Sequence, residues 1–246
     1  MDVEQRQPTA GEETGAVPAG APPDTPVVVA AEREGEQRNI LALAGIAGPL
    51  VFVLVFTVLG FLRAGYDQSA QMISQLAELG AWTAPYQTAN FILIGVLTLV
   101  FALALQRGAG RGSAVGPLLI AFVGVALAGV AALPCDPGCE AVTTRGELHE
   151  TVSGLAFIAF VLGLVFMARR LGRSPGWRGY AVYTWVTAVV AFVLLVVFSV
   201  VVSDAALPSL APYAGLLQRL FVLSLLQWMG VMGLRLYRRA GTSLQV

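Results

Sequence analysis

One histidine stands in this chain of 246 residues, at position 149, and Ser153 follows it four residues on. That spacing puts both side chains on one face of a helix, with Glu150 beside them. An imidazole base next to a serine hydroxyl, oriented by Glu150 or by Asp136 upstream, is a pattern for nucleophilic or proton-transfer chemistry. The same residues also suit a plainer role, an interfacial histidine that hydrogen-bonds the end of a helix bundle. His149, Asp136, Glu150 and Ser153 are the catalytic candidates. No metal centre and no cofactor is expected, because a single His with scattered carboxylates lacks recurrent ligand spacing.

The two cysteines, Cys135 and Cys139, enclose Asp136-Pro137-Gly138. Pro sets φ and Gly accepts positive φ, so the segment is a turn. The turn can bring the two Cα atoms into the window of roughly 4.4–6.8 Å that a disulfide needs. The C-x3-C spacing differs from the C-x2-C of redox-active pairs, so a structural bridge is expected. Arg219 is a different problem. The charge-free run that follows it, 220–234, has only fifteen residues. That is roughly 22 Å of helix, too short for a bilayer, so Arg219 belongs about a turn and a half inside the last span. It must snorkel or find a partner, and Asp136, Glu147, Glu150 and Asp204 are the candidates. Asp136, His149 and Arg219 are thus expected to form a ligand-binding group.

Long apolar helices must position these residues. Apolar types make up 57% of the chain and charged types only 12%, with zero net charge and no Lys. A soluble domain carries roughly 25% charge. A soluble enzyme, a disordered protein and a nucleic-acid binder are excluded, and membrane lipids are the expected partners. Six segments are long enough to span: 40–62, 86–106, 114–134, 149–168, 180–203 and 213–237. Runs such as 189–202 are apolar on every face, which rules out the alternation of a β-barrel. The fold class is therefore an all-α polytopic membrane bundle over 39–239. Residues 1–38, with five Pro and no aromatic side chain, read as a disordered cytoplasmic tail, and 240–246 as a short one.

Basic residues set the orientation. Arg33, Arg38, Arg107, Arg111, Arg169, Arg170, Arg173, Arg178, Arg235, Arg238 and Arg239 fall on one side, against Arg63, Arg145 and Arg219 on the other. Both termini are expected in the cytoplasm of a bacterial cell, with the protein in its plasma membrane. Every acid after Glu36 then lies at the outer side. The first outer connection places Met72, Ile73, Leu76 and Leu79 at helical spacing, which predicts an amphipathic helix at the interface. It would serve as a packed lid or as a gate, with Tyr66, Trp82 and Tyr86 as anchors. Gly124, Ala128 and Ala132 form a small-residue stripe that predicts a central position for the third span. Pro49 is expected to kink the first.

Three patterns carry a resemblance. They are Tyr66-Asp67 with Ile73-Ser74-Gln75-Leu76-Ala77-Glu78-Leu79-Gly80; Leu133-Pro134-Cys135-Asp136-Pro137 with Gly146-Glu147-Leu148-His149 and Ser153; and Gln218-Arg219. In their order and placement they resemble the Domain of Unknown Function 998 family of bacterial six-span integral membrane proteins, over roughly 41–238. Family members show a compact Ile-Ser-Glu-Leu-Gly where this chain has a longer segment, and the Cys pair is a local elaboration. The resemblance implies fold and topology and carries no activity with it. The functional expectation is a membrane protein that binds or moves a lipid or small amphiphile at an outward-facing polar pocket. The alternative is an intramembrane hydrolase or lipid-modifying enzyme using His149 with Asp136 or Glu150.

Overall fold

The computed structural model describes residues 26–203 and 207–242. Among them are six α-helices and no strand: α1 (Pro26–Leu62), α2 (Ala84–Gly108), α3 (Val115–Ala132), α4 (Thr144–Gly172), α5 (Arg178–Val202) and α6 (Ala214–Thr242). All six are long and apolar enough to cross a membrane. In hydrocarbon only such internally bonded segments satisfy the backbone, so the chain is an all-α, multi-pass membrane protein.

Two helices begin earlier than the apolar runs suggest. α1 starts at Pro26, so residues 26–38 are helical rather than part of a tail. A helix already nucleated in the apolar run extends at little cost through Ala, Glu, Gln and Arg, and Pro suits a first turn. Residues 1–25 and 243–246, which the tail readings also cover, lie outside the described residues. α4 starts at Thr144 because Thr143 is extended and its side chain accepts from Gly146 N, capping the helix.

Each helix packs on its chain neighbours, and α1 closes on α6, so the six form a ring. Backbones meet where side chains vanish. A Cβ on Gly95 of α2 would stand 2.8 Å from Gly124 O of α3. A Cβ on Gly233 of α6 would stand 3.0 Å from Ala42 O of α1. The expected central position of α3 is not found: Gly124 is buried, but Ala128 and Ala132 are exposed. A small stripe marks close approach to one neighbour, and in a ring no helix is central. Pro49 lies within an α1 that runs unbroken to Leu62.

The connections 63–83 and 133–143 and the segment 207–213 gather at one end of the ring, here the capped end. The connections 109–114 and 173–177 gather at the other, with most of the arginines. The first connection is not an interfacial amphipathic helix. It forms a short 3-10 turn, Ile73–Ala77, whose Ile73, Leu76 and Ala77 join the core. Its polar side chains are satisfied inside the protein instead of by headgroups. Gln75 Nε2 donates to Gly138 O (2.9 Å) and its Oε1 accepts from Met72 N (2.7 Å). Glu78 pairs with Arg63 and accepts from Gly138 N (2.7 Å). Trp82 and Tyr86 stay exposed, whereas Tyr66 turns inward.

Candidate functional site

The ring encloses a cavity of ≈ 700 Å³. All six helices contribute to its wall. Phe52, Phe91, Val123, Phe160, Leu225 and Met229 line the apolar part, and His149, Glu150, Ser153, Glu140, Ser203 and Gln218 line the part near the capped end. From His149 to Phe160 the wall follows roughly 16 Å of α4. Ile158, 51% exposed, also lines it. Such a volume suits a small ligand.

His149 and Ser153 sit one turn apart on this wall, as their spacing implies. His149 Nδ1 lies 2.7 Å from Leu133 O, and a carbonyl only accepts, so Nδ1 carries the proton. In the uncharged ring Nε2 then holds the lone pair. No hydrogen bond joins His149 to Asp136, Glu150 or Ser153 among the described residues. A base is present, but the position of an orienting acid is filled by a backbone carbonyl. Glu150 shares the cavity wall and is exposed.

Asp136 works elsewhere. Its carboxylate accepts from Thr143 N (2.8 Å) and Thr143 Oγ1 (2.9 Å), and Arg145 lies 3.4 Å away. A Cβ at position 146 would collide with Asp136 Oδ2, so glycine stands there. Asp136 therefore staples the first turn of α4, where backbone N–H groups favour an anion. The Thr143 backbone N–H holds its carboxyl below the usual carboxylate range, aided by the Thr143 hydroxyl and Arg145.

Arg219 is 7% exposed and faces away from the cavity. It donates to Gln71 O (2.7 Å), Gly215 O (3.0 Å) and Tyr66 Oη (2.7 Å), with its guanidinium 5.7 Å from the Tyr66 ring centre and 5.9 Å from that of Phe56. The expected carboxylate partner is not used. Asp136 is committed to α4, and Asp204 lies outside the described residues. Nor does Arg219 snorkel, because carbonyls of the docked connection reach it first. Burial pushes the Tyr66 hydroxyl's pKa up, against the opposing pull of Arg219. Beside this cluster Gln218 Oε1 accepts from Ile73 N (2.7 Å). A Cβ at Gly215 would collide with the Gln71 backbone.

Cys135 and Cys139 form a disulfide with Cα atoms 4.9 Å apart. Both sulfurs and a ring nitrogen of His149 lie within 4.8 Å of one another. With the sulfurs bonded to each other, this trio offers no thiolate to a metal.

Tyr66, Gln75, Glu78, Asp136, His149, Gln218 and Arg219 thus come from three distant segments into one cap. Over residues 46–235 the sequence matches the family described as Protein of unknown function (DUF998). The chain belongs to the DUF998 family. No curated protein and no solved structure matches it.

In this DUF998 protein, the expected constellation of five residues divides into two. His149, Glu150 and Ser153 line the cavity; Asp136 fastens the start of α4 and Arg219 holds the roof in place. Sequence reasoning missed Gln75, Thr83 and Gly215. Thr83 Oγ1 donates to Leu76 O (2.7 Å), and nothing in the order of residues marks that contact. Arg63 and Glu78, fifteen residues apart, pair within the first connection.

Proposed function

We propose that this protein binds or moves an amphiphile whose apolar part enters the ring and whose head stays at the rim. The observation that carries this reading is a cavity with apolar walls and a rim of His149, Glu150, Ser153 and Gln218. No Arg lines it, and Arg219 is consumed by the cap. An anionic head would meet Glu140 and Glu150 without a counter-charge, so a neutral or cationic head is favoured. The excess of arginine at the opposite end supports an orientation with the rim facing outward from the bacterial plasma membrane. Hydrolysis needs an acid oriented on His149, and Leu133 O occupies that place; binding therefore stands ahead of catalysis.

Native mass spectrometry of the purified protein tests this. A retained neutral or cationic amphiphile is expected, and Ala156→Phe, which fills the cavity wall, should expel it without lowering the thermal midpoint by more than a few degrees. Protein that carries no amphiphile, or that carries the same one after Ala156→Phe, contradicts the reading.

A further inference from the structure

The disulfide sits at the wall of the cavity. Cys139 lines the cavity, while Cys135, 1% exposed, lies behind it. A ring nitrogen of His149 is within 4.8 Å of both sulfurs, and Nδ1 is fixed as a donor to Leu133 O. Cys139 is also the sole non-glycine residue with a left-handed backbone among the described residues, at φ 55°. Such a conformation is unfavourable for an L residue and concentrates at functional positions. Three features therefore meet at one bond: access from the cavity, a neighbouring imidazole, and a left-handed backbone.

An oxidant that occupies the apolar part of the cavity beside Cys139 must be lipophilic, because Phe52, Phe91, Phe157, Phe160 and Phe198 line it. The two-electron chemistry of a dithiol requires a partner that takes two electrons and two protons. A lipophilic molecule of that kind with an uncharged head is a quinone. We propose that the Cys135–Cys139 pair exchanges two electrons with a membrane quinone held in the cavity. This rests on the cavity being an amphiphile site and names the amphiphile's class.

In the reduced protein, His149 accepts the Cys139 thiol proton, and the thiolate adds to a quinone ring carbon. Cys135 Sγ, losing its proton, attacks Cys139 Sγ. The S–S bond forms as the C–S bond breaks, and the electron pair passes to the ring. The two thiol protons end on the two quinone oxygens, one delivered by His149, and hydroquinone leaves. An external dithiol then reopens the bridge by exchange and becomes a disulfide itself. The C-x3-C spacing argued against redox work; it is the cavity and His149, which no spacing reveals, that argue for it.

The test uses the full chain in detergent, reduced with dithiothreitol, desalted and kept anaerobic. The probe is decylubiquinone, whose fully substituted ring prevents lasting thiol adducts. Two thiols should be lost for each quinol formed, with one quinol per chain. Cys139→Ser and Cys135→Ser should each form none. His149→Gln, assayed at saturating decylubiquinone, should slow the reaction by about 10²-fold, the usual contribution of a general base. Quinone that binds while both thiols persist overturns this inference and leaves the amphiphile reading intact. So does a bridge that dithiothreitol opens only in denatured protein, or retention of some other amphiphile with no quinone bound. Loss of all amphiphile binding removes both.

Discussion

Both ends of the ring bury an arginine, and they use it over very different distances along the chain. At the Arg-rich end Arg170, 5% exposed, donates to Ala109 O, Gln106 O, Gln106 Oε1, Gly110 O and Ser113 O at 2.7–3.1 Å. All of those acceptors belong to the last turn of α2 or to the short passage from it to α3. At the capped end Arg219 reaches Gln71 and Tyr66, 148 and 153 residues away. One end is thus sealed by a local turn gripped by a single side chain. The other is roofed by a long excursion stitched to α6, to α1 through Arg63, and to the disulfide turn. Of the two arginine clusters, only the second belongs to a roof whose Met72, Ile73 and Ser74 line the cavity. A guanidinium serves both ends because it is a fork of donors that stays charged at any ordinary pH, and backbone carbonyls satisfy it without a buried acid.

That contrast can be broken by mutation. Arg170→Ala should have the largest effect, about 4 kcal/mol lost, since several buried carbonyls are orphaned at ~1–3 kcal/mol each. Arg170→Lys should recover little, as one ammonium cannot address acceptors spread over the whole turn. Thermal unfolding in detergent measures both, and a smaller loss than for Arg219→Ala would reverse the ranking of the two ends. Gly215→Ala should cost about 2 kcal/mol by forcing the Gln71 backbone outward. Its signature is local: hydrogen exchange should quicken over 66–78 and stay unchanged over 106–113. Tyr66→Phe removes one hydroxyl that accepts from Arg219 and donates to Met72 O (2.8 Å), and should cost about 1 kcal/mol in the same melt.

The smallest effect expected is a pH dependence confined to the capped end. Asp136 has a depressed folded pKa, so its stabilisation is present above the unfolded value, about 3.9, and is lost as pH falls through the folded one. Melting points should therefore hold from neutrality to about pH 4 and decline below it. In Asp136→Asn that acid decline should be weaker, with the starting stability lower. An acid profile identical in both proteins would mean that Asp136 does not restrain α4.

The spans were readable because apolar length is a local property, and hydrocarbon accepts little else. That His149 and Ser153 share a face was readable for the same reason, since helical periodicity is written within a few residues. The grouping of Asp136 and Arg219 with His149 was not, because a common side of the membrane does not say which neighbour a side chain meets. The first connection misled through its own periodicity: Ile73, Leu76 and Ala77 do bury an apolar face, but against the ring instead of lipid. Its polar residues gave no warning, as Gln75 and Glu78 both meet Gly138, which lies in another segment.

Composition and order alone settle how often this chain crosses the bilayer and which of its residues lie at each end, because the cost of burying charge or bare backbone in lipid acts residue by residue. The closing of the ring, the cavity within it and the division of the polar residues between roof and wall were decided only in three dimensions. Those depend on which glycines let two backbones touch and which carbonyl an arginine reaches first, and both are contacts between residues that the chain keeps far apart.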